Sequence, residues 1–341
     1  MTPSVQIVLV DTHINDFGER SASERVIWEK LGATIKFATC NTEDEIIEAC
    51  QDGDILVYVG LYTPFTERVL SQLPKCRLIA RYGIGMDSVD LEAATQYGIV
   101  VANAAEFCVP EVADHTAAMI LALARRIVFL DRFVRQGRWE GAAVQVGPII
   151  RLSEQTVGFV GFGRIGRQTA RNLMNTFGTL LAYDPFVTQE QADALRVTMV
   201  SFDELLERSD YVSVHTPLLP QTRGLINAEV LAKMKPTAYL INTSRGPVVD
   251  QDALIAALQA KQIAGAALDV FDPEPLAEDS PLREIENVIL TPHTAAVSVQ
   301  AGVDVRAAVA ENVSNVIQGY LPRYILNSNV VSRFGLKPRQ S

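Results

Sequence analysis

The stretch Thr156–Gly166, TVGFVGFGRIG, decides the fold. A run rich in β-branched and aliphatic residues enters three glycines, Gly161, Gly163 and Gly166, and the helix-like segment RQTARNLMN follows. In a strand, turn and helix of this spacing each glycine has its own task. Gly161 permits the tight turn, Gly163 lets the backbone approach a pyrophosphate, and Gly166 lets the helix pack closely on the strand. The phosphates would rest at the helix N-terminus, where unpaired N–H groups point outward. A bare G-x-G-x-x-G serves equally well as a plain tight turn, so its surroundings matter. The next strand candidate, TLLAYD, ends in Asp184, 18 residues after Gly166. Dinucleotide-binding folds place there the carboxylate that holds the adenosine ribose hydroxyls, and an acid at that point favours NAD over the extra phosphate of NADP. The competing reading is a solvated aspartate before the turn-forming Pro185.

Outward from this unit, short strand-like runs alternate with segments of helical period, the pattern of parallel sheets with crossover helices. From Thr156 onward six strands are predicted: Thr156–Val160, Leu180–Tyr183, Tyr211–Val214, Ala238–Ile241, Gly265–Leu268 and Val288–Leu290. Upstream, Val5–Val10, Thr34–Ala38, Ile55–Val59, Leu78–Arg81 and Val100–Ala102 suffice for a smaller open sheet. Between the two sets runs PEVADHTAAMILALARRIVFLDRFVRQG, from Pro110 to Gly137, read as one long helix or a broken pair. A last helical stretch, Val297–Ile317, leads into YLPRYILNSNVV, expected to fold back on the first domain. The fold class expected is therefore α/β: two open parallel-sheet domains, with a doubly wound Rossmann domain (108–297) inserted into the other (1–107 with 298–341).

The chain has 341 residues, 48% of them hydrophobic and 21% charged, the composition of a folded two-domain protein. With 40 acidic and 30 basic residues its net charge is −10, which argues against nucleic acid or an anionic membrane surface as partner. The start lacks a basic segment followed by a long apolar run, and the apolar stretch around Ala117–Ala124 is far short of a membrane span, so a cytoplasmic protein is expected. Cys40, Cys50, Cys76 and Cys108 form no C-x-x-C pair and have no histidine at zinc-finger spacing. Buried thiols are expected, with neither disulfides nor a metal.

Transfer of a hydride to or from a hydroxyl-bearing carbon needs a group that exchanges the hydroxyl proton near neutral pH, usually a histidine. The four candidates are His13, His115, His215 and His293. His13 reads as a loop residue and His115 as a packing residue of the long helix. His215, with Thr216 and Pro217 after it, ends a strand and is placed to line the dinucleotide site. His293 follows VILTP at the carboxyl edge of the last strand, where open α/β sheets bind ligands, and is the candidate base. Arg245, in LINTSRG, can clamp a carboxylate in bidentate fashion. Glu274, in LDVFDPEP, can accept the second imidazole N–H of His293, fixing the tautomer and stabilising the imidazolium. Each has a plainer reading, as a turn cation and as one acid among Asp272, Glu278 and Asp279.

The ordered set RYGIGMDSVD, GFGRIG, Asp184, NTSRG, DVFDPEP and TPHTAA resembles the D-isomer-specific 2-hydroxyacid dehydrogenases over nearly the whole chain. The resemblance implies His293 as acid/base, Glu274 as its partner and Arg245 as the substrate-carboxylate clamp. It implies a polar role at the cofactor for Asp269, nicotinamide-side contacts from Thr116, Thr243 and Ser244, and pyrophosphate contacts from Arg164 and Ile165. It also implies that the backbone N–H groups of Ile84 and Gly85 receive the substrate carboxylate, and that the protein is a homodimer with the long helix from Pro110 in the interface; the alternative for that helix is an apolar face buried within one chain.

Substrate choice falls to the loops GLYTPF (60–65) and 83–86. The first has no Arg or Lys, which argues against 3-phosphoglycerate, and its Leu61, Tyr62 and Phe65 suit a small or apolar 2-oxoacid. Phosphite oxidation is disfavoured because Ile84 stands where that branch of the family carries Lys. The stretch NAAEFCVPEVADHT is similar to the branch related to the C-terminal binding protein, which raises an NAD-sensing, corepressor-like role. The presence of Arg245, Glu274 and His293 together weighs for catalysis, since a pure binder needs no proton-transfer pair.

Overall fold

The computed structural model describes residues 4–11, 21–60, 63–142, 147–330 and 334–338. The chain divides into two compact units, Met1–Cys108 with Ser298–Ser341, and Val109–Val297. Both are parallel α/β units, and the second is inserted in sequence into the first.

The first unit holds β1 (Gln6–Asp11), β2 (Thr34–Thr39), β3 (Ile55–Tyr58), β4 (Leu78–Arg81) and β5 (Val100–Ala102) in the order β2-β1-β3-β4-β5. Their side chains alternate between two apolar layers, as a period of two residues requires. Val8, Val10, Leu56, Tyr58 and Ile79 lie in one layer. Ile7, Leu9, Ile55, Val57, Leu78 and Ala80 lie in the other, which Trp28 and the helical residues Val309, Val313 and Val316 cover. Those three valines share one face of the helix Val299–Ile317 because their spacing follows its turn. The segment after that helix does fold back: Ile325 bridges Ala102 in antiparallel fashion, and the Leu326 N–H donates to the Val101 carbonyl at 2.9 Å. All four cysteines are buried, and none of them forms a disulfide.

Among its described residues the second unit holds seven strands, one more than predicted: β6 (Thr156–Val160), β7 (Thr179–Tyr183), β8 (Val197–Met199), β9 (Tyr211–Val214), β10 (Tyr239–Asn242), β11 (Gly265–Leu268) and β12 (Val288–Leu290). Their order, β12-β11-β10-β9-β6-β7-β8, is that of a doubly wound sheet whose winding reverses between β6 and β9. The extra strand, β8, has three residues, of which only Val197 is buried, so its sequence carries almost no strand signal. The stretch from Pro110 is a broken pair, helix Val109–Ala124 and helix Ile127–Arg135. The break lies at Arg126, which adopts φ 56° with no proline or glycine to announce it. Among the described residues no helix is long and apolar enough to cross a membrane.

Candidate active site

The glycine turn joins β6 to the helix Arg164–Leu173 at the point where the sheet's winding reverses. Gly161 has φ 91°, and a Cβ on it would lie 2.9 Å from the His215 carbonyl carbon and 3.0 Å from the Thr216 nitrogen. Both the turn and the approach of the β9 end therefore require glycine. A Cβ on Gly166 would meet the Gly161 carbonyl oxygen at 2.7 Å, so the third glycine lets the helix sit against the turn itself. Around Gly163 a Cβ would meet nothing within 4 Å, and the helix starts with no side-chain cap. An open approach at an uncapped helix start, where Arg164 and Ile165 contribute the first N–H groups, fits a dinucleotide pyrophosphate. Asp184 stands at the end of β7, where one carboxylate oxygen accepts the Phe162 N–H at 2.8 Å and the other the Phe186 N–H at 2.9 Å. It thus braces the glycine turn while each oxygen keeps a further lone pair.

His293 and Glu274 meet across the loops that follow β12 and β11. His293 Nδ1 lies 2.7 Å from Glu274 Oε2, with the side chains 28% and 13% exposed. The other carboxylate oxygen, Oε1, accepts the Phe271 N–H at 2.9 Å, which fixes the glutamate in place. His293 has φ 53°, a left-handed conformation that costs a β-carbon-bearing residue energy and must be held by its surroundings. The holding group is Asp269, 1% exposed at the end of β11. Its carboxylate accepts the Thr294 and Ala295 N–H groups at 2.9 Å each and the Thr291 hydroxyl, while its carbonyl accepts the His293 N–H at 2.8 Å. Every described bond of the Asp269 carboxylate goes to the loop carrying His293. His115 joins the same group, with Nε2 3.1 Å from Thr291 Oγ1 and 3.8 Å from Asp269 Oδ1.

Arg245 follows β10, beside β11. The turn that carries it is built by Asn242, whose Nδ2 donates to the Arg245 carbonyl at 2.9 Å and whose Oδ1 accepts the Ser244 N–H and hydroxyl at 3.0 and 2.8 Å. This turn presses on the loop before Glu274: a Cβ on Gly246 would fall 1.8 Å from the Phe271 carbonyl oxygen. Thr116 and Thr243 are buried with their hydroxyls 2.8 Å apart, and Thr116 donates to the Val112 carbonyl at 2.7 Å. His215 bonds Ser213 through Nε2 at 2.9 Å and packs against Phe159, with ring centroids 5.9 Å apart. Burial pushes its pKa down to about 4, so it is neutral at pH 7. Thr216 and Pro217 continue the chain beside the glycine turn.

In the first unit, Ile84 and Gly85 follow β4 in a half-buried loop. Tyr62, Leu61 and His13 lie outside the described residues. Phe65 does not line a substrate loop: it is fully buried in the core, 5.0 Å from the Tyr58 ring between centroids. Its apolar character belongs to packing and says nothing about substrate. Asn242, Thr291 and the loop-holding part of Asp269 were missed by sequence reasoning. Asn242 alone carried a local signal, an Asn-Thr-Ser run of turn formers at a strand end.

Residues 117–295 match the family described as D-isomer specific 2-hydroxyacid dehydrogenase, NAD binding domain. A glyoxylate reductase of Korarchaeum cryptofilum is 41% identical, over 84% of this chain and 86% of that protein. A D-3-phosphoglycerate dehydrogenase of Synechocystis sp. is 42% identical over 87% of this chain, which spans only 53% of that relative's length. The crystal structure of D-lactate dehydrogenase from Aquifex aeolicus, complexed with NAD and lactic acid, superposes with a TM-score of 0.80 at 30% identity, covering 92% of this chain and 96% of that one.

Proposed function

The chain belongs to the D-isomer-specific 2-hydroxyacid dehydrogenase family, and from that premise we propose that it interconverts a small, unphosphorylated D-2-hydroxyacid and its 2-oxoacid with NAD. The observation that carries the reading is the 2.7 Å contact of His293 Nδ1 with Glu274 Oε2, on the loops that follow β12 and β11, the latter beside β10, which Arg245 follows. A nucleotide sensor has no use for an imidazole so oriented. Nicotinamide, when bound, supplies or takes the hydride. In the reductive direction His293 delivers the proton on Nε2 to the substrate oxygen, and Glu274 balances the imidazolium through Nδ1. Arg245 orients the substrate carboxylate by its planar fork, and its charge lies where negative charge develops on the oxygen. Ile84 and Gly85 are candidates to offer backbone N–H groups to a substrate carboxylate, and Tyr62 is a further candidate contact. Thr116, Thr243 and Ser244 face the nicotinamide end, and Gly161, Gly163, Arg164, Ile165, Gly166, Asp184, His215, Thr216 and Pro217 hold the rest of the dinucleotide.

The test is NADH oxidation against glyoxylate, hydroxypyruvate, pyruvate, phenylpyruvate and phosphohydroxypyruvate, with NADPH as control. Turnover on an unphosphorylated acid supports the proposal; silence across the panel while NADH binds overturns it in favour of nucleotide sensing. We also propose a homodimer, because Ile127, Val134 and Trp139 leave 54%, 50% and 78% of their surface exposed along one helix and just after it. Sedimentation velocity that reports a monomer at micromolar concentration rejects it.

A further inference from the structure

We propose that Asn103, seated by Asn312, is a positioning residue that aims the backbone N–H groups of Ile84 and Gly85 at the substrate carboxylate. The inference rests on the carboxylate-binding reading proposed above. Three successive carbonyls of this loop are tied to protein. The Gly83 carbonyl accepts the Ala104 N–H at 3.1 Å, and the Ile84 carbonyl accepts Asn103 Nδ2 at 2.6 Å. The Gly85 carbonyl accepts Nη1 of Arg81, a buried side chain whose guanidinium also lies 5.4 Å from the Tyr58 ring centroid.

A peptide unit whose C=O is fixed has its N–H fixed on the opposite side, because the group is planar. Fixing the Gly83 and Ile84 carbonyls therefore orients the N–H groups of Ile84 and Gly85, which belong to the same two peptide units. Among the described residues no hydrogen bond takes either N–H. Two adjacent amides held this way make a small concavity for an anion, and the buried Arg81 cation behind it adds attraction in a medium of low dielectric.

Asn103 is itself held. Its carbonyl accepts Asn312 Nδ2 at 3.1 Å, and Asn312 Oδ1 accepts the Arg323 N–H at 3.1 Å. Both asparagines are buried, and one serves the loop through the other. Buried polar side chains linked in this way fix a single geometry, so loss of one member is felt at the end of the chain. The amide of Asn103 is the only part of this network that touches the Ile84 carbonyl among the described residues.

The experiment compares wild type, Asn103→Ala and Asn312→Ala by three readouts: KM for the best 2-oxoacid of the panel, the affinity for oxamate in the presence of NADH, and the Kd of NADH alone. For Asn103→Ala, KM and the oxamate dissociation constant should rise together by about tenfold, the scale of one lost hydrogen bond to a positioned group. The NADH Kd should stay within about twofold and kcat should change less than KM. Asn312→Ala should move the same two constants by about threefold and guards against a variant at position 103 that does not fold. Oxamate affinity unchanged in both variants, or lost in step with NADH affinity, overturns the inference while leaving the dehydrogenase reading intact. A wild-type protein that ignores oxamate and every 2-oxoacid overturns both.

Discussion

His293 sits in a left-handed backbone conformation with Nδ1 committed to Glu274, an arrangement that leaves Nε2 with no partner among the described residues. If Nε2 handles the substrate proton, His293→Ala should lower kcat by about a hundredfold or more while the Kd of NADH holds, and a variant of near-normal turnover removes it from the mechanism. Glu274→Gln keeps the size of the side chain but cannot balance an imidazolium, so kcat should fall by about tenfold to a hundredfold, measured under saturating substrate. At Asp184 the choice of variant matters, because the carboxylate also accepts the Phe162 and Phe186 N–H groups. Asp184→Asn retains an acceptor and removes the charge, so the preference for NADH over NADPH in kcat/KM should narrow by about tenfold, and an unchanged ratio denies the charge its role. His215 gives a prediction of a different kind. Its pKa falls from an ordinary 6.5 to about 4 in the folded protein because its surroundings desolvate the half-buried ring. Between those values the unfolded chain binds a proton that the folded one does not, so stability is lost as pH falls through that window. His215→Gln, which can still reach Ser213, should flatten the decline of Tm across it; an equal decline in both proteins assigns the acid sensitivity elsewhere.

The loops that carry the site stand at the carboxyl ends of three adjacent parallel strands, β10, β11 and β12, and their mutual fit is set by backbone contact as much as by side chains. Gly246 shows this most directly, since its missing Cβ leaves room for the Phe271 carbonyl. Gly246→Ala should destabilise the second unit by about 1–3 kcal/mol and displace Arg245, seen as a lower urea midpoint and a lower kcat/KM. A variant that unfolds and turns over like wild type shows that the loops have more freedom than this packing gives them. The same elements show what could be read from residues alone. Short strands rich in apolar residues, such as YLIN and TVGFV, were legible because burial on both faces demands largely apolar runs. The meeting of Glu274 and His293 was legible too, because both follow strands that successive crossovers lay side by side. β8 was not, since an edge strand with one buried residue leaves no pattern, and neither was the break at Arg126, where no breaker residue stands. The side-chain support of the loops was least legible. Asn103 and Asn312 are separated by 209 positions, and Asp269 reaches Thr294 and Ala295 across 25 and 26, so no local rule pairs them. Hydrogen bonds of that kind follow from the completed fold, whereas periodicity and turn chemistry precede it.

At the scale of the whole molecule the order of the chain makes the two units unequal. The second, Val109–Val297, is one unbroken segment and carries two apolar layers of its own, with Val160, Val212 and Leu240 on one face of its sheet and Phe159, Tyr211 and Ile241 on the other. The first is made of two segments, and the later one supplies parts the earlier cannot replace. Val309, Val313 and Val316 cover the face that Ile7, Leu9 and Trp28 present, and Asn327 accepts the Val101 N–H and donates to the Ile99 carbonyl, both at 2.9 Å. Each fully buried valine is worth about 1.5–2 kcal/mol, so loss of that helix and its asparagines removes an amount comparable with the whole margin of about 5–15 kcal/mol that holds a domain folded. A fragment of residues 109–297 is therefore expected to unfold cooperatively in urea and to bind NADH, as followed by fluorescence. A fragment of residues 1–108 should show neither a cooperative transition nor a dispersed amide spectrum until residues 298–341 are restored. A cooperative transition in the 1–108 fragment would place the stability of that unit in β1 to β5 alone. A 109–297 fragment that is folded but blind to NADH would show that the glycine turn, though formed, does not by itself bind the dinucleotide.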